Sequence, residues 1–332
     1  MRIATGRRAA WIAAALLALA LFPLVGGKFG VDFVTKMIVF AIFALSLELL
    51  VGQVGLACFG QAAFFGIAAY AAVRLTPQAA PASVWWLMPA AVGAAGLYAL
   101  FMGSLSIRTR GIYFIMVTLA FSQMAYYVAH DTPLGGGTDG IYLALVPTFS
   151  LAGFPIADLG KPRPFYYFAL ALLAAVFALL AVILRSRFGR ALAGIRVNEQ
   201  RMRAAGFSTY LYKLAAFVLS GMVAGIAGFL FAVKDGFVNP ELLGWHMSGT
   251  VLMMIILGGI GSLHGAVLGA FAFSLLQELF KSEAIFGEFA KHWHLGVGLT
   301  IILAVALLPR GLAGASFARK KRDPQINADE RR

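Results

Sequence analysis

The sequence predicts an all-α protein, a polytopic transmembrane bundle of about ten helices, with eight or nine as the lower counts. Three observations carry this. Of the 332 residues, 61% are hydrophobic and only 12% are charged, with a mean hydropathy of +0.85, whereas a soluble domain holds about 25% Asp, Glu, Lys and Arg. Apolar stretches long enough to span hydrocarbon recur along the whole chain. The alternation of polar and apolar residues that marks a membrane barrel is absent, and backbone in hydrocarbon must find its partners internally, so these stretches are helices.

In order, the expected spans are 9–25, 32–51, 56–73, 85–105, 112–129, 165–184, 213–233, 248–262, 264–280 and 294–309. The third, eighth and ninth are the candidates for half-helices or re-entrant segments, because glycines border them. Gly52, Gly55 and Gly60 crowd one turn, and Gly258, Gly259, Gly261 and Gly265 crowd another. Arg2, Arg7 and Arg8 ahead of the first span also describe a signal peptide. The run is long for one, and no clear small-residue cleavage site follows, which favours an uncleaved first helix.

Charge placement gives the orientation. Ten crossings put both termini in the cytoplasm and leave 19 of the 27 basic residues inside against 8 outside. The formal net charge of +13 is therefore a topology signal and not a nucleic-acid patch. One transmembrane domain, 1–314, is expected. It carries an outer, periplasmic loop at 130–164 and a basic inner loop at 185–212, and a polar, disordered cytoplasmic tail follows at 315–332.

The inner loop has helical spacing of Leu192, Ile195, Met202 and Ala205 and reaches a stop at Gly206. It reads as one or two amphipathic helices that either lie on lipid headgroups or dock into a groove on a cytoplasmic partner. Glu48 sits within the second span with no basic residue near it in sequence. It lines a pathway or is a hydrogen-bonded packing residue. Gln53, Gln61, Thr118, Ser122 and Gln123 face the same choice between pathway and helix-to-helix bonding. Small residues let helices approach closely, so the glycines are read mainly as structural, and secondly as gating turns.

Enzyme chemistry finds no support. Cys58 is the single cysteine, and the five histidines are scattered without metal spacing. Gly135–Gly140 lacks the Lys-Ser/Thr of a phosphate loop, and with no Walker A sequence the chain cannot hydrolyse ATP itself.

Four ordered motifs carry a resemblance. The first runs from Ser186 to Phe217, with Arg196 ahead of Glu199, Ala204, Ala205 and Gly206. The second is Gly52–Leu56 continuing through Phe59–Tyr70. The third is Thr118–Phe121 followed by Gly136–Ile141, and the fourth is Leu257–Leu263 with Gly265 and Gly269. Over about residues 30–310 the chain resembles the branched-chain amino acid ABC importer permeases, specifically the larger of the two paired permease subunits of the hydrophobic amino acid uptake type.

The resemblance implies a type II ABC-importer-like fold in the bacterial inner membrane. It also implies a second homologous permease, two cytoplasmic ATPase subunits and a periplasmic solute-binding protein, with membrane lipid around them. ATP and Mg would sit on the partner subunits, leaving this chain without a cofactor. The loop residues Arg196, Asn198, Glu199, Arg203, Ala205 and Gly206 would then couple to the ATPase. The chain departs from the family pattern at Glu48, at Leu56–Gln61 and at Gln123, which leaves the solute open among branched-chain amino acids, urea, amides and aromatic acids. The competing reading is an ion-coupled secondary transporter or channel, in which Glu48 and the glycine turns would form the midplane site.

Overall fold

The structure, a computed structural model, describes residues 18–24, 27–77, 82–133, 135–151, 154–157, 159–308 and 311–318. The start of the first expected span and the tail beyond 318 lie outside the described residues. Residues 18–24 are helical.

Among the described residues, seven stretches are long and apolar enough to cross a membrane. They are α1 (Lys28–Glu48) with a π-helical extension (Leu49–Val54), α3 (Val84–Ser106), α4 (Ile112–Asp131), α5 (Pro162–Arg185), α8 (Thr209–Asp235), α10 (Leu263–Lys281) and a run at 290–314 built around α12 (Trp293–Leu307). Two apolar helices are shorter: α2 (Gln61–Leu75) and α9 (Trp245–Gly258), of 15 and 14 residues. They correspond to two of the three spans whose glycines suggested half-helices. The third, α10, is a full-length helix of 19 residues.

The inner loop folds into two helices, α6 (Arg187–Val197) and α7 (Glu199–Ala204). Short α11 (Glu283–Phe286) and α13 (Gly311–Ala318) complete the helices, so residues 315–318 of the expected tail are helical.

At the end of the bundle opposite α6 and α7, β1 (Ile141–Tyr142) pairs antiparallel with β4 (Phe237–Val238). This ties the outer loop to the exit of α8. A second hairpin joins β2 (Phe149–Leu151) to β3 (Phe154–Ala157) within the same loop.

The core is a block of α1, α2, α3 and α8. Of the most apolar window of α1, 89% is buried, and of α8, 72%. The α8 residues that allow this are small and recur on one face. A Cβ placed on Gly221 would lie 2.5 Å from the Ala99 Cβ, and one on Gly225 would lie 2.8 Å from the Ala95 Cβ; at Gly228 it would strike the Phe65 backbone. Helices in lipid gain little from hydrophobic burial against one another, so close backbone approach through small residues supplies the packing. Phe64 fills the space between, edge-on to Phe217 at 5.5 Å. By contrast, only 22% of the α4 window and 28% of the α5 window are covered within the chain.

The pair α9 and α10 is packed in the same way. Gly258 backs onto the Gly265 carbonyl, and Gly269 onto the Met254 carbonyl. The turn between them needs Gly259 and Gly261, whose φ values of 107° and 98° exclude most side chains.

Candidate functional site

The inner loop is a locked hairpin. Ser186 caps α6, its Oγ accepting from the Phe188 and Gly189 amides, and Asn198 caps α7, its Oδ1 accepting from Arg201 N–H at 2.9 Å. Gly206 ends α7 at φ 85°, where Phe207 N–H reaches back to the Met202 carbonyl at 3.1 Å.

Glu199 is the centre of the lock. Its Oε2 accepts from Lys213 Nζ at 2.6 Å, and its Oε1 accepts from Arg203 Nη2 at 2.6 Å and Thr209 Oγ1 at 3.1 Å. Arg203 Nε also donates to Thr209 Oγ1 at 2.9 Å. Burial works against the Glu199 charge, but the bond and charge of Lys213, aided by Thr209 and Arg203, hold the carboxyl down at about 2. Glu199 thus faces its own chain, while Ala205 and Gly206 at the tip are exposed. Val197, 85% exposed, and Phe207 give this tip an apolar surface.

Arg196 points back to the bundle, its Nη1 donating to the Gly52 carbonyl in the π-helical turn. Gly55 closes that turn, with Arg196 Cγ 3.2 Å from where its Cβ would lie. Gln53, on the same turn, is half-buried. Glu48, one helical turn earlier, is wholly buried, and its Oε1 accepts from Gly261 N–H at 2.7 Å. Gly52 leaves space for it, since a Cβ there would fall on the carboxylate.

The other polar candidates gather at the starts of α2 and α9. Ala62 N–H donates to Ser248 Oγ at 3.0 Å, which brings the two short helices together at their N-termini. Gln61 is fully buried, its Nε2 donating to Ser46 Oγ at 2.7 Å and Ser220 Oγ at 2.9 Å. Ser220 Oγ in turn donates to the Ser46 carbonyl at 2.6 Å.

From α4, Thr118 Oγ1 accepts from Phe59 N–H at 3.3 Å, and Ser122 Oγ donates to the Leu243 carbonyl at 3.0 Å. Gly60 lies against Thr118 and Met102. Gln123 is half-buried, with an Nε2 that has no hydrogen-bond partner among the described residues. Just beyond, a cavity of about 250 Å³ opens between α2, α3 and α4, lined by Ile67, Tyr70, Tyr98, Met124 and Leu243 among others.

The structure therefore separates the candidates into three groups: the hairpin, the Glu48–Gly261 contact and the α2–α4–α9 junction. Ser46, Ser220, Ser248 and Lys213 were missed by the sequence reading. A serine at helix depth is a signal only once its neighbours are known, and Lys213 stands out from the other basic residues only once it meets Glu199.

The family described as branched-chain amino acid transport system / permease component matches residues 30–306. The chain belongs to this family. It is 30% identical over 320 residues to the high-affinity branched-chain amino acid transport system permease protein LivM of Escherichia coli K12, covering 90% of this chain and 73% of that protein. It is also 31% identical over 172 residues to the autoinducer 2 import system permease protein LsrC of Klebsiella pneumoniae, covering 46% and 49% of the two chains. Among solved structures, PsaBC from Streptococcus pneumoniae in complex with Fab aligns with 92% of this chain at a TM-score of 0.45 and 12% identity. A member of this permease family is a membrane-embedded component of an ABC importer, working with ATPase and solute-binding partners. The ion-coupled carrier reading is not favoured.

Proposed function

We propose that this permease carries branched-chain amino acids across the bacterial inner membrane into the cytoplasm, driven by ATPase subunits docked on α6 and α7. The observation that carries the reading is the hairpin: a short element locked by Glu199, tied to α1 through Arg196 and tipped by exposed Val197 and Phe207. A rigid element with an apolar tip suits a groove on a partner. Asn198, Glu199 and Arg203 hold its shape, Arg196 ties it to the π-helical turn, and Ala205 and Gly206 lie at the contact surface.

The excess of basic residues at this end supports a cytoplasmic hairpin and both termini inside. ATP and Mg act on the ATPase subunits, and a periplasmic binding protein delivers solute at the β1–β4 end. A second, homologous permease covers α4. That helix leaves most of its surface uncovered, including Tyr113, Met116, Met124 and Tyr127. Thr118 and Ser122 lie on its other face, buried against the chain's own bundle, so the partner permease would meet an apolar, aromatic surface.

The test is co-purification from detergent, wild type against Val197→Asp, with leucine uptake measured in proteoliposomes. An ATPase recovered with wild type and reduced about tenfold by Val197→Asp supports the reading. Wild type that brings down no ATPase and accumulates leucine on an ion gradient alone overturns it.

A further inference from the structure

We infer that Glu48 and Arg196 are positioning residues that carry movement of the α6–α7 hairpin, through a single turn of α1, to the α9–α10 turn. This rests on the reading of the hairpin as the ATPase-docking element.

Three observations support it. The hairpin grips the π-helical turn at two glycines: Arg196 bonds the Gly52 carbonyl and lies against Gly55. A π-helical turn is rare and is frequently found at functional sites. Secondly, the Glu48 carboxylate lies under Gly52 and holds Gly261 N–H across 213 residues of sequence. Among the described residues its Oε2 has no hydrogen-bond partner. An ionisable group this deep is costly, and an apolar side chain of the same volume would pack as well. Packing therefore does not account for a carboxylate here, whereas a directional link to one amide does.

Thirdly, the turn that Glu48 holds has room to move. A cavity of about 450 Å³ lies beside it, lined by Gly261, Ser262, Val305, Leu308 and Gly314 among others. On one side the turn is attached through Glu48, and on another Gly311 backs onto Gly259. A pull on Gly52 from the hairpin reaches Gly261 through Glu48 without passing through the tightly packed body of α8.

The experiment measures leucine moved per ATP hydrolysed by the full complex in proteoliposomes, using the subunits that co-purify with this chain. The variants are Glu48→Leu, Glu48→Gln and Arg196→Met. Expected is a fall of at least fivefold in this ratio for Glu48→Leu and Arg196→Met. Glu48→Gln recovers most of the ratio, because the amide oxygen still accepts from Gly261. A wild-type ratio in assembled Glu48→Leu overturns the proposal, as does a Glu48→Gln as poor as Glu48→Leu. If Glu48→Leu fails to assemble, Arg196→Met decides: a reduced ratio supports the link and a wild-type ratio ends it. A wild-type chain that recovers no ATPase defeats the docking reading itself, which separates the two failures.

Discussion

Glu199 Oε2 and Lys213 Nζ lie 2.6 Å apart, joining the hairpin to the first turns of α8 across 14 residues. The carboxylate also receives Arg203 and Thr209, so one side chain fixes α7 against the bundle. Glu199→Gln removes the charge and leaves one acceptor oxygen, beside a new N–H donor, for three donors. A lost hydrogen bond to a charged group costs about 1.5–3 kcal/mol. Glu199→Gln is therefore expected to speed amide hydrogen exchange in α7 roughly tenfold at pH 7, with α8 beyond its first turns unchanged.

The same lock has a pH dependence of defined sign. The folded-state pKa of Glu199 is depressed, from 4.5 to about 2. The lock is fully present above 4.5 and weakens as pH falls from there toward 2. Exchange in α7 relative to α8 should be flat from pH 8 to pH 5 and rise below 4.5. In Glu199→Gln the low-pH rise should be absent.

The α8 glycine face predicts a size limit. Gly225→Leu would thrust a side chain into Ala95 and part α8 from α3. Overpacking costs about 1–3 kcal/mol, so thermal unfolding in detergent should occur at a clearly lower temperature. Gly249→Leu, at a site with open space around its Cβ position, is the control that should leave the melt unchanged.

Gln61 offers a graded case. Its amide holds Ser46 and Ser220 inside the core, and bonds between membrane helices are worth about 0.6 kcal/mol on average and 1.7 at most. Gln61→Leu should lower the melting temperature slightly more than Ser46→Ala, and the double variant should be no worse than the sum. A double variant far less stable than the sum contradicts this picture of one shared network.

Much of the architecture was legible in the sequence. Apolar length located the spanning helices to within a few residues of their observed bounds, because hydrocarbon thickness sets that length. Glycine crowding marked α2 and α9 as short. It also marked α10, which is full length, because Gly265 and Gly269 there serve packing against α9 and do not break the helix. The helical inner loop and its stop at Gly206 followed from apolar spacing and from glycine's place at helix ends; its caps at Ser186 and Asn198 did not.

The contacts that organise the site were less legible. Nothing local pairs Glu48 with Gly261 or Arg196 with Gly52, since both contacts depend on how distant helices cross. Glu199 was singled out in the sequence reading, but the direction in which its carboxylate points depends on Lys213, whose relevance appears only once α8 is in place.

The glycine face of α8 has one more consequence. Helices whose backbones touch have no slack of side chain to slide on, so α2, α3 and α8 form one rigid block. Spectroscopic labels placed in pairs within that block should report fixed distances throughout the ATP cycle.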